Sequence, residues 1–270
     1  MLELHCHTTF SDGMLTPREL VTVAKETGVK ALAITDHDTL GGWDEAIAAG
    51  NQAQVEIIPG VELSTVYNGR SLHILGYYPH RELIEKPLAE RLAGRKRRAA
   101  QIVEKLAEMG YSLEVPQLSG NMALGRPHIA SAMVKAGYVN SVKEAFVRFI
   151  SEDAPAYVHY EKFSTKEGIQ LIQDCGGVPV WAHPYLFRGG KVADVLPELI
   201  SAGLRGIEVY HPDCSNTRQR LLLKYCQEYN LIATGGTDYH GHTSGKARTK
   251  LNHFQLPLSM LHSLKQLAGK

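Results

Sequence analysis

The stretch LELHCHTTFSDG, residues 2–13, places two histidines on one short apolar run and an aspartate just beyond it. Side chains two positions apart on a strand point to the same side, so His5 and His7 share a face, whereas Leu4 and Cys6 point away from it. Two imidazoles on one face can bind a single metal ion. Taken alone, the pair is equally typical of ordinary hydrogen-bonded histidines, so the rest of the chain has to decide.

Beyond this stretch, short β-rich runs alternate with helical patterns. Residues 16–28 predict a helix in which Thr16 is the N-cap and Glu19 completes a capping box. The run VKALAIT, residues 29–35, follows as a strand, and the order strand, helix, strand predicts a parallel pair. Because similar units resume from residue 165, the pattern indicates an α/β barrel or a doubly wound sheet.

Two further strand patterns differ from this alternation. Residues 55–78 predict two strands joined at Asn68-Gly69, a dipeptide typical of tight hairpins, so the sheet becomes locally antiparallel there. The run LNHFQL, residues 251–256, predicts a last strand before a short terminal helix.

The middle of the chain is helical in pattern and has no clear core strand. We interpret residues 81–157 as an inserted helical subdomain, and residues 1–80 together with 158–270 as the main domain. The full length of 270 residues suits a single α/β barrel domain with such an insertion.

Composition narrows the function classes. The chain is 44% hydrophobic and 21% charged, which excludes a disordered or fibrous protein, and its net charge of +1 creates no global attraction to nucleic acid or membranes. The four cysteines form no Cys-x-x-Cys pair, as is usual in a reducing compartment. We see no secretory signal and no apolar run long enough to cross a bilayer. These features predict a cytoplasmic protein without membrane contact.

Histidines and carboxylates recur at the predicted strands, mostly where a strand ends. In an α/β barrel the carboxyl ends of the strands share one face, and active sites form there. Imidazoles and carboxylates together are ligands typical of zinc, manganese or iron, and more than four of them imply more than one ion. The residues concerned are His5, His7, Asp36, His37, Glu62, His73, His183, Glu208, His211, Asp238 and His240.

Individual members of this set would also fit simpler structural roles. His73 alone would be typical of a hydrogen-bonded core histidine, and Asp36 would serve equally well as a cap for the next helix. The recurrence of the same residue types along one edge favours a metal cluster over independent coincidences.

The motifs that contain these residues resemble those of the PHP family, the polymerase and histidinol phosphatase metallohydrolases. The resemblance spans nearly the whole chain and implies a distorted (β/α)7 TIM-like barrel with an inserted helical subdomain. It also implies three divalent transition-metal ions, manganese, iron or zinc. The implied ligands are His5, His7 and Asp238 for the first ion, Glu62 bridging to a second ion with His73 and His183, and Asp12, His37 and His240 for the third.

Within the family, the GRPHIA stretch and the insertion resemble phosphoesterases that act on 3',5'-nucleoside bisphosphates and on the 5' ends of short RNA. The resemblance implies a phosphorylated small molecule, most often a nucleotide, as substrate, with short RNA as a further one and no obligate protein partner. Arg126 and His128 are candidate phosphate ligands, since an arginine fork matches phosphate oxygens. A surface ion pair and a helix N-terminal position are their respective alternatives.

Other residues are candidates for substrate contact or proton transfer. Lys162 follows the insertion, and Arg188 follows the His183 motif. We expect both at the end of the barrel that carries the histidines and carboxylates. His211 follows a strand end and is the candidate catalytic residue, able to donate a proton to a phosphate oxygen or leaving group.

The basic segment RLAGRKRRAAQIVEKLAEMG, residues 91–110, has two interpretations. Its arginines and lysines would steer a polyanion toward the site. We favour the simpler one, in which Leu92, Ile102, Leu106 and Met109 form a buried face and the basic residues are its solvated side.

Three other functions share part of this pattern. A histidinol phosphatase of the same family would use the same ligands on a small amine phosphate. An amidohydrolase also begins with His-x-His but holds one or two metals. A non-catalytic nucleic-acid-binding module would tolerate the loss of ligands, and this chain retains all of them.

Overall fold

The structure is a computed structural model that describes residues 1–114, 124–241 and 250–270. Strands and helices alternate along most of this length. The strands are β1 (Leu2–Glu3), β2 (Ala31–Ile34), β3 (Glu56–Tyr67), β4 (Arg70–Tyr77), β5 (Val178–Trp181), β6 (Gly206–Tyr210) and β7 (Ile232–Gly235). The helices are α1 (Pro17–Glu26), α2 (Trp43–Ala53), α3 (Arg81–Glu108), α4 (Arg126–Lys135), α5 (Val142–Ala145), α6 (Thr165–Asp174), α7 (Val192–Ser201), α8 (Asn216–Glu228) and α9 (Ser259–Leu267).

The strands form one sheet whose spatial order is the same as their order in sequence, β1 to β7. Strand β4 is antiparallel to β3 and β5, and the other neighbouring pairs are parallel. Beyond β7 the chain returns to the first strand, where the Tyr239 N–H donates to the His5 carbonyl at 3.1 Å and the His7 N–H donates to the Tyr239 carbonyl at 2.9 Å. The sheet is thereby nearly closed, which confirms the barrel and excludes the doubly wound alternative.

Local signals at α1 and at the hairpin are confirmed. The Thr16 side chain accepts a hydrogen bond from the Glu19 N–H, and the Glu19 carboxylate accepts one from the Thr16 N–H. Asn68 and Gly69 have φ values of 50° and 72°, the left-handed values that a tight hairpin turn requires. The long hairpin of β3 and β4 brings the middle of β3 beside the antiparallel β4, where Glu62 and His73 lie close together.

The predicted strand at residues 251–256 is wrong. This segment makes turns, and its single β-bridge joins Leu256 to Leu2. Asn252 and Gln255 have φ values of 63° and 48°, left-handed conformations that interrupt any extended run. The segment therefore covers the start of β1 without extending the sheet.

The interpretation of the basic segment is also wrong in part. Leu92, Ile102 and Leu106 are buried as expected, but Met109 is 40% exposed where α3 ends. Arg95 and Arg98, expected on the solvated side, are only 7% and 6% exposed. Part of the basic face of α3 is therefore buried in the protein.

Apolar side chains form separate clusters. One lies between the strands and the surrounding helices, and another joins strand residues to α9. The helices between residues 81 and 157 pack around a cluster of their own, with Ile102, Ile129 and Phe149 among its members. The division into 1–80 with 158–270 and 81–157 stays a prediction, and residues 115–123 of the insertion lie outside the described part of the chain. Among the described residues, none of the helices combines the length and apolar character that a membrane crossing requires.

Candidate metal centre

The carboxylate of Glu62, fully buried in the middle of β3, lies among imidazoles on both sides. Its Oε2 lies 3.2 Å from His5 Nε2, 3.1 Å from His7 Nε2 and 3.4 Å from His37 Nδ1. His5 and His7 follow β1, and His37 follows β2, so the two parallel strands deliver these rings from one direction. One carboxylate oxygen thus lies within reach of three ring nitrogens.

The other oxygen of Glu62 meets rings from the opposite side. Its Oε1 lies 2.7 Å from His73 Nδ1 and 3.0 Å from His183 Nε2. His73 lies on β4, and His183 follows β5 with a left-handed φ of 32° that turns the chain at the strand end. This division of two oxygens between two groups of imidazoles suits a carboxylate that bridges two metal ions.

Asp238 closes the first group. Its Oδ1 lies 3.4 Å from His5 Nε2 and 3.1 Å from His7 Nε2. The two halves of this group lie at opposite ends of the sequence and meet because the barrel closes between β7 and the first strand. The structure therefore brings together the residues expected for the first ion.

Asp12 lies on the other side of His7. Its Oδ1 lies 3.2 Å from His240 Nε2 and 3.4 Å from His7 Nδ1, and its Oδ2 lies 3.8 Å from His37 Nε2. The residues expected for a third ion thus lie together as well. The tightest groupings of ligand atoms are His5 with His7, Glu62 and Asp238; His7 with Asp12 and His240; and His37 with Glu62 and His73. These sets overlap, so the division of the ligands among ions stays a proposal.

Unsatisfied polar atoms show whether this cluster fits metal ions. Within the described residues, several buried side-chain atoms here have no hydrogen-bond partner, although each lies at ion-pair distance from another member of the cluster. An unpaired buried polar atom costs about 1–3 kcal/mol, so leaving several together is expensive unless cations contact them. The atoms are Nε2 of His7, Oδ1 of Asp12, Nδ1 of His37, Nε2 of His211 and Oδ1 of Asp238. This nitrogen and oxygen donor set fits transition-metal ions.

The charges of the cluster change the protonation of its members. Burial lowers the pKa of His7, but the carboxylates of Asp238, Glu62 and Asp12 more than offset this effect and raise the pKa to about 10. Burial raises the pKa of Glu62, yet the surrounding histidines, His37 foremost, hold it well below its ordinary value. A proton on His7 and a metal ion therefore compete for the same carboxylates.

Glu208, on β6, orients two of the histidines. Its Oε1 accepts a hydrogen bond from His5 Nδ1 at 2.8 Å, and its Oε2 accepts one from the His183 backbone N–H at 2.8 Å. A neutral His5 that donates from Nδ1 presents an unprotonated Nε2 to Glu62 and Asp238. Glu208 belongs to the strand-end pattern, but its role as an orienting group was missed because only the three-dimensional contact shows it.

Two buried carboxylates hold the loops that carry Asp12 and Asp238. Asp36 accepts hydrogen bonds from the Thr8 N–H at 2.8 Å, the Thr8 hydroxyl at 2.7 Å and the Ser11 hydroxyl at 2.5 Å. Glu3 accepts one from the Thr237 N–H at 2.6 Å. The alternative in which Asp36 caps the next helix is wrong, because α2 begins at Trp43 after an N-cap glycine without side-chain capping. Asp36 instead fixes the loop after β1.

His211 lies beside the cluster with its ring fixed. Its Nδ1 accepts a hydrogen bond from the Asp213 N–H at 3.1 Å, so the proton of the neutral ring is on Nε2. That Nε2 lies 3.6 Å from Asp238 Oδ2. Burial lowers the pKa of His211, but Asp238 and Glu208 raise it overall. The ring therefore presents a proton toward the metal cluster.

The cluster opens into a cavity of about 440 Å³. Arg126 and Arg188 line it, together with the aromatic rings of Phe146, Trp181 and Phe187. The Arg126 Nη1 donates to the Ile150 carbonyl at 3.3 Å, and the guanidinium lies 5.6 Å from the Phe146 ring centroid, which places this side chain at the cavity wall.

Among the described residues that line the cavity, the other two candidate phosphate ligands, His128 and Lys162, do not appear. His128 nevertheless lies close enough to the metal centre for the charges of Asp12 and His240 to act on its ring, although burial lowers its pKa overall. The His128 Nδ1 accepts a hydrogen bond from the Gly125 N–H at 3.1 Å, so this ring caps the start of α4, as its alternative interpretation predicted. Lys162 is exposed.

Comparison with known proteins gives both a family match and full-length relatives. Residues 3–86 match the PHP domain. A 5'-3' exoribonuclease of Haemophilus influenzae is 33% identical over 88% of this chain and 89% of that protein. A phosphoribosyl 1,2-cyclic phosphate 1,2-diphosphodiesterase of Eggerthella lenta is 29% identical over 88% of this chain and 94% of that protein. A 3',5'-nucleoside bisphosphate phosphatase of Chromobacterium violaceum is 29% identical over 90% of this chain and 88% of that protein.

A solved structure has the same overall fold. It is a protein of Bifidobacterium adolescentis assigned as a metal-dependent phosphoesterase, and it superposes with a TM-score of 0.86 at 30% identity. The similarity covers 98% of this chain and 96% of that one.

Replacing Glu208 tests its role as an orienting group. We expect Glu208→Gln to weaken manganese binding about 10- to 100-fold, because the amide has a single acceptor oxygen and no charge to fix the His5 ring. Competition with a fluorescent chelator measures the affinity. Glu26→Gln, at an exposed position of α1, is the matched control and should bind as the wild type does. Equal affinities for both variants would contradict the role of Glu208.

Metal uptake should release protons. The pKa of His7 in the metal-free chain, about 10, lies above the ordinary 6.5, so the ring is protonated at pH 7.5 and loses that proton when a metal ion binds. The stability that this proton gives the metal-free fold is complete below pH 6.5 and is lost as the pH rises through 10.

Calorimetric titration with manganese in buffers of different ionisation enthalpy measures the release. We expect proton release at pH 7.5 and little proton release above pH 10. The affinity for manganese should rise as the pH rises toward 10. Metal binding without proton release at pH 7.5 would contradict the assignment of His7.

Proposed function

The chain belongs to the PHP family of metal-dependent phosphoesterases, and we propose that it hydrolyses phosphate esters of nucleotides, foremost nucleoside 3',5'-bisphosphates. The observation that carries this proposal is the convergence of histidines and carboxylates around Glu62, at the floor of a cavity of about 440 Å³ with arginines and aromatic rings in its wall. Such a cavity offers cations for phosphate and flat apolar surfaces for a base.

We assign three divalent ions, manganese, iron or zinc, to the cluster. When bound, such ions lower the pKa of a water molecule and neutralise charge on the phosphoryl oxygens. The proposed ligands are His5, His7, Asp238 and Glu62 for the first ion, Glu62, His73 and His183 for the second, and Asp12, His37 and His240 for the third. The contacts of Glu62 with five imidazoles support its place as the bridge between the first two.

The remaining residues of the site bind substrate or move a proton. Arg126 and Arg188 contact the substrate phosphate from the cavity wall. The aromatic rings of Phe146 and Phe187 give the base an apolar surface. His211 donates its Nε2 proton to the departing oxygen, since Nδ1 is occupied as an acceptor and the buried ring holds its proton above the ordinary pKa range.

Short RNA with a 5' phosphate is the second substrate we propose. The observation that favours it is the 33% identity with the exoribonuclease, which extends over most of both chains. A cavity that is open at one side and accepts a nucleotide at its floor can also accept the terminal nucleotide of an RNA chain. Both substrates occur in the cytoplasm, where we place the protein.

A phosphate-release screen tests the proposal. The panel contains adenosine 3',5'-bisphosphate, 5'-phosphorylated oligoribonucleotides, histidinol phosphate and a ribose 1,2-cyclic phosphate, each with manganese, iron or zinc. For the cyclic ester and the oligoribonucleotides, the phosphomonoester products are assayed, because hydrolysis of a phosphodiester alone releases no inorganic phosphate. We expect the highest kcat/KM with the bisphosphate. A clear preference for histidinol phosphate or the cyclic phosphate would contradict the proposed substrate, and hydrolysis of none would contradict the proposed class.

Removal of a ligand gives the matching control. Asp238→Asn should reduce hydrolysis of all of these substrates to background, because it removes a carboxylate shared by His5 and His7, while circular dichroism shows an intact fold. Retention of substantial activity in a folded Asp238→Asn protein would contradict the metal assignment.

Replacement of His211 tests proton donation. We expect His211→Asn to lower kcat about 10²- to 10⁴-fold for adenosine 3',5'-bisphosphate, whose leaving alcohol needs a proton. A p-nitrophenyl phosphate ester, with a leaving group that departs unprotonated, should lose far less. Equal losses for both substrates would show that His211 has a different role.

A further inference from the structure

Arg95 reaches from the helical insertion into the barrel. It lies on α3 and is only 7% exposed. Its Nη1 donates to Asp38 Oδ2 at 3.2 Å and to the Ser64 hydroxyl at 2.7 Å. Among the described residues that line the cavity beside the metal centre, Arg95 does not appear. Its contacts therefore lead to the ligand-bearing segments of the barrel and not to the substrate.

Asp38, which pairs with Arg95, joins two segments that carry proposed metal ligands. It follows His37 directly, and its N–H donates to the Glu62 carbonyl at 3.1 Å. Its Oδ1 accepts a hydrogen bond from the Ser64 N–H at 3.0 Å. His37 and Glu62 also form a parallel β-bridge. Asp38 thus sets the position of His37 relative to Glu62.

The conformation of Asp38 depends on the contacts around it. Its φ is 53°, in the left-handed region that residues other than glycine seldom adopt and keep only where the surrounding structure fixes them. Its side chain is 2% exposed and forms an ion pair with Arg95. Loss of Arg95 would leave a buried carboxylate without this counter-charge, which favours rearrangement of the loop.

Arg95 also lies against two further segments of the site. Ser64 comes two residues after Glu62 on β3, so both side chains point to the same side of the strand. Gly125, just before α4, packs closely against Arg95 and Asp12: a Cβ on this glycine would lie 3.3 Å from Arg95 Nη2 and 3.8 Å from Asp12 Cβ. Arg95 is therefore adjacent to the loops and the strand from which three of the proposed ligands project.

We propose that Arg95 is a positioning residue of the metal centre. Through Asp38 and Ser64 it fixes His37 and Glu62, so the helical insertion determines how tightly the ion beside His37 is held. Glu62 has imidazoles on both sides, whereas His37 follows the end of β2, so the ion beside His37 depends most on Arg95. This inference rests on the metal ligands proposed above and adds a role for the insertion that does not involve the substrate.

Manganese binding to Arg95→Gln tests this role. The amide cannot neutralise Asp38, so we expect the affinity for the ion beside His37 to fall about 10- to 100-fold, as is usual when a group that orients a ligand is lost. Competition with a fluorescent chelator measures the affinity, and anomalous diffraction from manganese-soaked crystals measures the occupancy of each ion. The peak beside His37 should weaken, and the peak beside His5 and His7 should keep its wild-type intensity.

Three further variants separate the ion pair from general damage to the fold. Arg95→Lys keeps the charge and should recover part of the lost affinity. Ser64→Ala removes one hydroxyl contact and should bind the ion beside His37 severalfold more weakly, which also provides the test should Arg95→Gln fail to fold. The double variant Arg95→Gln, Asp38→Asn should lose no more affinity than the more damaging single variant, because both changes break the same ion pair. Thermal unfolding followed by circular dichroism checks that each variant folds.

Arg97→Gln is the matched control on the same helix. Arg97 is exposed and forms its ion pairs with Glu90 and Glu161, so its loss should leave manganese binding at the wild-type level. Kinetics at saturating manganese distinguish positioning from substrate contact. With adenosine 3',5'-bisphosphate, Arg95→Gln should have an unchanged KM, and its kcat should rise toward the wild-type value as manganese is added.

The possible results separate this role from the proposed function. Wild-type affinity and occupancy in Arg95→Gln or Ser64→Ala, an equal loss at all of the ions, or a raised KM at saturating manganese would overturn the positioning role. If the wild type binds manganese and loses it on replacement of Arg95 but hydrolyses no phosphate ester, the positioning role stands and the proposed function is overturned. A wild type that binds no manganese, iron or zinc would overturn both the proposed metal centre and the role of Arg95.

Discussion

The structure depends on the buried carboxylate of Glu62. Removing a carboxylate from water costs several kcal/mol, and that cost has to be met by charges or hydrogen bonds supplied by the fold. Here it is met by imidazoles from strands on both sides, so strands β1 to β5 must all bring a polar side chain to the same point. The closed barrel provides that convergence, and the nitrogen and oxygen atoms that remain without partners among the described residues are those that metal ions would contact.

Convergence of strands alone does not place the ligands that lie on loops. Asp12 and Asp238 are held by the neighbouring contacts of Asp36 and Glu3, which are buried carboxylates that accept hydrogen bonds from loop residues. Glu208 does the same for the ring of His5. The centre therefore contains two kinds of carboxylate: Glu62, Asp12 and Asp238 face the imidazoles of the proposed metal site, whereas Asp36, Glu3 and Glu208 accept hydrogen bonds from the loops and rings around it. This second kind gives a structural role to acidic residues of the barrel interior that lie outside the proposed ligand set.

The alternation of strands and helices and the recurrence of histidines and carboxylates at strand ends could be predicted from the sequence because both depend on short-range regularities. The seven-stranded barrel and the assignment of ligands to ions were instead expectations from the family resemblance. Alternation along a strand placed His5 beside His7, and the caps and turns at Thr16 and Asn68 follow local rules. The predictions that were wrong share a different cause: they concern contacts that a residue makes with distant parts of the chain. Asp36 has the position of a helix cap, and only its contacts with Thr8 and Ser11 reveal the loop that it fixes. The helical pattern of α3 predicts a solvated basic face because it describes one helix alone and not the residues that pack against Arg95 and Arg98.

The central claim is that Glu62 bridges metal ions in a cluster that the barrel assembles. Anomalous diffraction from crystals of the manganese-loaded protein, recorded at the manganese edge, tests it most directly. The account predicts separate peaks at coordination distance from each of the two Glu62 oxygens, one beside His5, His7 and Asp238 and the other beside His73 and His183. Loaded crystals in which no peak lies at coordination distance from Glu62 would contradict it.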